Sequence, residues 1–267
     1  MPYLATKFTG YTSIGTGTTD TLLGGAALEL PDGAKEIVGI IPYLTSPVGN
    51  TAAEAVNADF FITSEDVPKI VPFHCPANPI GSSLLKSVAQ VQGKSEFYPI
   101  HCPVNGGETI KIYAVALQAH TIAPYAGALI IYSDTPQGKP QVFSKAGTLT
   151  GTGTAAARVS CGTISIVGAR RLIEVAGYAF GTTVAALKGL AGHFDIQSEG
   201  LTPSWQIDLP IEPASGQVDT NIQECIAGVA RKEVGLDLKD KSTLNVGFTL
   251  AVALTTQGKA VAYAFWN

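Results

Sequence analysis

The chain has 267 residues, enough for one large domain or two modest ones that each bury a core. Lys, Arg, Asp and Glu make up only 14% of it, against roughly 25% in an ordinary globular chain, and the formal net charge is −4. This balance argues against a general nucleic-acid binder, which would present a basic face. No apolar run approaches the roughly 18 residues of a membrane-spanning helix. We therefore expect much of the surface to be covered by a partner, a membrane or a lattice of subunits.

Short apolar runs separated by Gly, Pro and Asn turns predict an all-β first half. The segment Tyr11–Asp20 is rich in Gly and Thr and has little core of its own, so we expect it to order only against a neighbour or an underlying membrane. A short helix is predicted at Thr51–Asn57. The predicted strands are Ala27–Leu30, Glu36–Tyr43, Ala58–Thr63, Lys69–His74, Leu85–Val91, Glu96–His101, 109–118 and Tyr125–Tyr132.

An internal repeat is the strongest signal in the sequence. GAKEIVGIIPY ends at Tyr43 and GARRLIEVAGY ends at Tyr178, an offset of 135. FFITSED after Asp59 matches FDIQSEG after His193 at an offset of 134. A period of this length indicates duplication of a whole domain rather than a solenoid.

The same offset extends to the last strands of each half. Ile112 matches Val246, and residues 243–254 alternate between apolar and small or polar side chains, which predicts a strand. A helix at Val184–Leu190 is predicted in the place that matches the one in the first half. We therefore predict two tandem eight-stranded antiparallel β-sandwiches.

A turn-rich segment, SDTPQGKP at 133–140, separates the two halves. We place the first sandwich at 1–135 and the second, its internal duplicate, at 136–267.

The triplet His-Cys-Pro occurs twice in the first half, at Cys75 and Cys102, and is replaced in the second. If the two strands are neighbours, the cysteines share one face and the histidines the other, because successive side chains of a strand point to opposite faces. A tetrahedral zinc site would need all four to converge, so no metal site is predicted. Two buried thiols are expected, with a Cys75–Cys102 disulfide as the alternative. Cys161 and Cys225 are expected in the core.

The other chemistry-bearing residues are scattered. His120 and His193 are isolated and are expected to be structural. Glu65 and Asp66 follow a strand and Glu199 occupies the matching place, so these acids are interpreted as solvated loop residues. No nucleophile, phosphate-loop or metalloprotease motif occurs, and we predict no catalytic residue, no cofactor and no small-molecule substrate.

The tandem repeat of sandwiches with a charge-poor surface resembles the double jelly-roll major capsid proteins of tailless icosahedral viruses of bacteria and archaea and of the adenovirus lineage. The resemblance covers the whole chain and is architectural. It implies a homotrimer of near-hexagonal outline that tiles a virion shell, assembled in the host cytoplasm. Minor capsid or vertex proteins and an internal membrane are the partners that it implies, with no specific nucleic acid.

Two rival classes remain open from the sequence. A non-viral surface or filament subunit of paired sandwiches would also be charge-poor, but would normally need a secretion signal, and the first twenty residues lack one. A duplicated carbohydrate-binding or carbohydrate-active sandwich would need acids or aromatics converging in a cleft. Both tryptophans, Trp205 and Trp266, lie in the second half, and Trp266 is expected in the core.

Overall fold

The described residues of the computed structural model divide into two compact units, one formed by those up to residue 143 and one by those from residue 144 onwards. The residues described are 4–46, 58–67, 70, 72–77, 79–82, 97–116, 123–153, 158–166, 171–181, 192–198, 201–202, 206–211, 218–219, 222–223, 230–238, 243–250 and 254–267. The first unit is the first sandwich and the second unit is the second sandwich.

Two sheets form the first sandwich. The strands are β1 Leu4–Phe8, β2 Thr12–Ser13, β3 Thr21–Leu22, β4 Leu28–Glu29, β5 Glu36–Ser46, β6 Ala58–Thr63, β7 Phe73–Ala77, β8 Pro79–Ser82, β9 Tyr98–Pro103, β10 Thr109–Ala116 and β11 Tyr125–Ser133, with a 3-10 turn at Leu23–Gly25. In the first sheet, β11 lies between β1 and β5, and β2 also pairs with β11. On its other side β5 pairs antiparallel with β9 and parallel with β8. In the second sheet, β10 pairs with β3 and β4 on one side and with β6 on the other, and β7 pairs with β6.

The second sandwich has the same construction. One sheet has the order β12-β22-β14-β20-β16 and the other β13-β21-β15-β17, with a separate two-stranded β18–β19 pair. The strands are β12 Phe143–Gly153, β13 Arg158–Ser165, β14 Arg171–Gly181, β15 Gly192–Gln197, β16 Leu201–Thr202, β17 Gln206–Ile211, β18 Val218–Asp219, β19 Ile222–Gln223, β20 Ala230–Leu238, β21 Thr243–Leu250 and β22 Leu254–Trp266.

The connectivity of both units is that of a jelly roll. Eight principal strands make up each sandwich: β1, β3, β5, β6, β7, β9, β10 and β11 in the first, and β12, β13, β14, β15, β17, β20, β21 and β22 in the second. When these are numbered 1 to 8 in chain order, one sheet of each sandwich has the order 1-8-3-6 and the other 2-7-4-5. The first strand therefore lies beside the last in each sandwich. The predicted fold class, two tandem eight-stranded sandwiches of the double jelly-roll type, is confirmed.

The strand register repeats as well as the topology. Tyr43 lies opposite Gly127, and Tyr178 lies opposite Val261 in the matching pair of strands. Ile112 lies opposite Ile62, and the matching pair is Val246 and Ile196. The predictions that Tyr43 is equivalent to Tyr178 and Ile112 to Val246 are confirmed.

The core of each sandwich lies between its sheets and follows strand alternation. In β10 every second residue is buried, from Ile110 to Ala116, and the intervening residues are partly exposed. Phe60 in the first sandwich and Phe194 in the second are fully buried at matching positions.

Most predicted strands occur within a few residues of their predicted bounds, and Ala58–Thr63 has its predicted bounds. The predicted helices at Thr51–Asn57 and Val184–Leu190 and the strand at Leu85–Val91 lie outside the described residues. The segment Tyr11–Asp20 is anchored on its own sandwich more than predicted, because Ile14 is 2% exposed and its N–H donates to the Pro124 carbonyl. No helix among the described residues is both long and apolar enough to span a bilayer.

Candidate functional site

The two His-Cys-Pro triplets lie in different sheets of the first sandwich. The first is in β7, which pairs with β6, and the second is in β9, which pairs with β5. The two strands are therefore not neighbours in one sheet, which was the condition for the cysteines to share a face. Cys75 and Cys102 are both buried thiols, and the Cys102 Sγ–H donates to the Pro103 carbonyl at 3.6 Å.

Each histidine of the triplets pairs with a carboxylate instead of with the other triplet. His101 Nδ1 lies 2.7 Å from Glu36 Oε1, and His74 Nδ1 lies 2.7 Å from Asp59 Oδ2. The Glu36–His101 pair is deeply buried, with 5% and 7% of the side chains exposed. A carboxylate buried to this degree needs a hydrogen-bonding partner, and the histidine supplies it.

A backbone irregularity aims His101 at its partner. In the β5–β9 pairing, Ile37 lies opposite Cys102 and Gly39 opposite Pro99, so β9 contains a bulge at Ile100–His101. His101 has φ of 52°, in the left-handed region that side chains other than Gly rarely adopt. The strained bulge lies where the imidazole meets the Glu36 carboxylate, and both side chains are buried.

The segment after the first sandwich is fastened at the same corner. The Gln137 backbone N–H donates to Glu36 Oε2 at 2.5 Å, and the Val142 N–H donates to the Ile100 carbonyl at 2.7 Å. Both carboxylate oxygens of Glu36 are thus engaged, one by His101 and one by the chain that leads to the second sandwich. These contacts fix the segment that follows β11 to strands β5 and β9.

A row of stacked rings crosses the outer face of β7, β6 and β10. His74 lies opposite Phe61, and Phe61 lies opposite Tyr113. The Phe61 ring is stacked on His74 with centroids 5.3 Å apart and on Tyr113 at 5.0 Å. The Asp59 carboxylate, two residues before Phe61 on the same face, holds one end of this row through His74.

The matching row of the second sandwich has ionic chemistry. Asp195, which replaces Phe61, accepts from Arg158 Nε at 2.6 Å and from Gln197 Nε2 at 2.9 Å on its Oδ1. Gly247 replaces Tyr113, and a Cβ there would lie 2.4 Å from the Arg158 guanidinium carbon. Arg158 therefore reaches Asp195 across the space that the glycine leaves open. The Asp195 side chain is 3% exposed, and its Oδ2 is buried with no hydrogen-bond partner among the described residues.

The acids of the loop after β6 hold the loop in place. Asp66 Oδ2 accepts from the Thr109 N–H at 2.9 Å and from its hydroxyl, and these bonds lower the pKa of Asp66 below its usual range. Glu65 pairs with Lys111 at 2.6 Å, which raises the pKa of the lysine. Ser64 Oγ donates to the Thr109 carbonyl at 2.5 Å. These residues clamp the loop to the start of β10.

The remaining sequence candidates add no reactive group to these contacts. His193 is partly exposed on β15, and Trp266 is 6% exposed in the core of the second sandwich. No group of three or more His, Cys, Asp or Glu side chains that could bind a metal occurs in the part of the chain that the structure describes. The side chains of His120, Cys161, Glu199, Trp205 and Cys225 lie outside that part.

No protein-family model matches the sequence, and no curated protein matches it. Solved structures match over the whole chain at low identity. The major capsid protein of Sulfolobus turreted icosahedral virus is 10% identical, with a TM-score of 0.46 over 98% of this chain and 96% of that one. PNGase F, a glycosylasparaginase from Flavobacterium meningosepticum, is 8% identical, with a TM-score of 0.50 over 99% and 96%. The PBCV-1 virus capsid structure is 10% identical, with a TM-score of 0.38 over 99% and 94%.

These likenesses concern the fold. At 8% identity, the match to PNGase F concerns the fold alone. Because a shared architecture does not imply a shared function, the function has to be argued from the surface and the side chains of this chain.

Proposed function

We propose that this protein is the structural subunit of a viral capsid and assembles into trimers of near-hexagonal outline that tile the shell. Its place is the virion, and its principal partners are further copies of itself. Minor capsid or vertex proteins and an internal membrane are further partners of such a shell.

The observation that carries the proposal is the duplicated jelly roll with a charge-poor surface. The two sandwiches share topology and register. A subunit with two similar lobes gives six similar lobes around a threefold axis, a shape that tiles a gently curved surface. Covalent linkage of the lobes also avoids part of the free-energy cost of association for that pair. With only 14% charged residues, the surface suits permanent burial against other subunits.

The polar contacts described above support a structural role. Glu36, His101, Asp66 and Thr109 each use their side chains to fix a connection or a loop to a strand. The segment that follows β11 is fastened to its own sandwich through Glu36.

Imaging and mass measurement test the proposal. The purified protein at micromolar concentration should contain a threefold particle in negative-stain images and a mass of three chains in mass photometry. Particles from the native source should show the same blocks in a shell. A fully monomeric protein, with no threefold blocks in its source, would refute the proposal.

A glycan-processing enzyme is the second candidate, favoured by one specific observation. Asp195 and Asp208 lie directly opposite each other on β15 and β17, beside the Arg158 guanidinium. Paired carboxylates are the groups that hydrolysis of a glycosidic bond uses. Incubation with a glycoprotein that carries oligosaccharides, and mass spectrometry of the released sugars, tests this directly. Glycan release that is lost in Asp195→Asn would establish the enzyme, and no release by the wild-type protein would exclude this activity.

A further inference from the structure

The large apolar side chains that are exposed in the described part of the chain all belong to one surface. They lie on or beside the sheet that contains β1, β11, β5 and β9, on its outer side. We call this surface the apolar face. Its exposed members are Leu4 at 54%, Phe8 at 42%, Tyr11 at 56%, Phe97 at 40% and Tyr125 at 48%.

Strand register places these side chains on the same side of the sheet. Phe8 lies opposite Leu129, and Leu129 lies opposite Ile41 on the next strand. These three residues are exposed or partly exposed, whereas their neighbour Ile130 is fully buried in the core. Tyr125 is four residues before Leu129 and therefore points the same way.

Two glycines let aromatic rings lie close against the sheet. A Cβ at Gly127 would lie 2.9 Å from the Phe8 ring, and a Cβ at Gly39 would lie 2.3 Å from the Phe97 ring. Phe8 also contacts Tyr11 and Tyr43 edge to face, with centroids 5.2 and 5.9 Å apart. The apolar face is therefore a layer of rings and aliphatic groups that lie close against the sheet.

The described outward positions of the apolar face hold one charged side chain, Glu36, which lies opposite Ser133 and is buried in its contacts with His101 and Gln137, so it presents no charge at the surface. The other outward positions on β1, β11 and β5 are uncharged: Leu4, Thr6, Phe8, Tyr125, Gly127, Leu129, Ile131, Ser133, Gly39, Ile41 and Tyr43. The other sheets carry charges on their strands, for example Lys111, Asp195 and Glu233. An exposed apolar sheet face of this kind marks a binding surface rather than a surface for water.

We propose that the apolar face binds the same face of a second copy of this chain, in a contact with twofold symmetry. A twofold contact brings each surface against itself, so like charges would repel across any of the charged faces. The apolar face avoids that repulsion. The side chains of one sheet face can also interdigitate with those of another sheet face, packed at about 10 Å.

The area is sufficient for a specific contact. Four strands spaced by about 4.8 Å and about seven residues long cover roughly 440 Å² as a flat footprint. Side-chain relief raises the accessible area to roughly 600 Å², so two copies would bury about 1,200 Å², within the range of specific interfaces. The inference rests on the proposed function, because it names a surface by which neighbouring subunits of the shell would contact one another.

Sedimentation of a double variant tests the inference. Leu4→Glu with Tyr125→Glu adds two charges at highly exposed positions of the apolar face. We expect the wild-type protein to self-associate at micromolar concentration, and the variant to weaken that association at least about 100-fold with an unchanged circular dichroism spectrum. The matched control, Thr18→Glu with Thr163→Glu, adds the same charge at exposed positions outside the apolar face and should associate like the wild type.

A single variant, Tyr11→Asp, repeats the test should the double variant fail to fold, because Tyr11 is the most exposed side chain of the face. Unchanged association of a folded variant, or equal weakening in the control, would overturn the inference.

Imaging distinguishes the failure of this inference from the failure of the proposed capsid function. Shells that still form from the double variant would refute the apolar contact and leave the capsid function standing. Pairs lost in the variant, with no shells from the wild type or its source, would refute the capsid function alone.

Discussion

The two sandwiches have the same interior and different exteriors. Equivalent strands pair in equivalent register, yet the row of outward side chains across the second sheet has changed completely. In the first sandwich this row is Leu22, Tyr113, Phe61 and His74. In the second sandwich it is Ser160, Gly247, Asp195 and Asp208.

The difference indicates which constraints remained after duplication. A one-residue slip in register would turn every core side chain outward, so the register is held wherever one face is buried. The outer row has no such constraint, and different side chains cover the sheet in the two sandwiches. Stacked rings cover it in the first sandwich. In the second, an arginine lies over a glycine and pairs with a buried carboxylate.

The largest expected effect concerns the shared interior. Phe60→Ala and Phe194→Ala each remove a fully buried ring at matching positions, and each should lower the free energy of unfolding of its own sandwich by about 3–5 kcal/mol. Both tryptophans lie in the second half, so tryptophan fluorescence in a denaturant titration reports on that sandwich. Phe194→Ala should shift the fluorescence transition strongly. A comparable shift in Phe60→Ala would show that the sandwiches do not unfold independently.

The next effect distinguishes the two exteriors. Gly247→Ala places a Cβ in the path of the Arg158 guanidinium and leaves the buried Asp195 carboxylate without its ionic partner. We expect a loss of about 1–3 kcal/mol in stability, measured by thermal unfolding. Gly17→Ala is the control, because a Cβ there meets nothing within 4 Å. Equal stability of Gly247→Ala and the wild type would mean that the ion pair contributes nothing.

A smaller effect is expected in the ring row of the first sandwich. Phe61→Ala, Tyr113→Ala and the double variant form a cycle whose coupling energy should be about 0.5–1.5 kcal/mol, the typical value for an aromatic pair beyond its buried area. Chemical denaturation of the four proteins measures it. A coupling indistinguishable from zero would show that the rings cover the sheet without stabilising each other.

The sequence predicted the features that depend on repetition and alternation. The match of Ile112 with Val246 predicted the register of a whole strand. The alternation of buried residues and the constant offset between the halves together allow few other alignments of the two strands. The sequence missed β1 at Leu4–Phe8, whose lone exposed apolar residues gave no core signal. Weakly hydrophobic edge strands are formed by their neighbours rather than by their own composition.

The polar contacts could not be predicted from the sequence, for a different reason. Glu36 and His101 are 65 residues apart, and they meet through the pairing of β5 with β9, at a bulge with a positive φ at the histidine. The repeated His-Cys-Pro triplet suggested a contact between its two copies, on the condition that their strands are neighbours. The structure gives each histidine a carboxylate from its own sheet, a pairing that follows from strand order and not from the motif.

The smallest effect concerns the loop clamp at the first sandwich, and it is visible only through its dependence on pH. Thr109 donates to Asp66 and lowers its pKa below the usual 3.8, so the folded state favours the carboxylate. The stabilisation is therefore present above pH 3.8 and is lost as the pH falls through the lowered pKa. Asp66→Asn should reduce the melting temperature slightly at neutral pH, and the difference from wild type should vanish in acid. Thr109→Val is the matched control, because it removes the hydroxyl that donates to Asp66 and leaves both acids of the loop in place. If the acid-dependent effect of Asp66→Asn is as large in the Thr109→Val background as in the wild type, general loop charge, and not the Thr109 hydroxyl, stabilises the clamp.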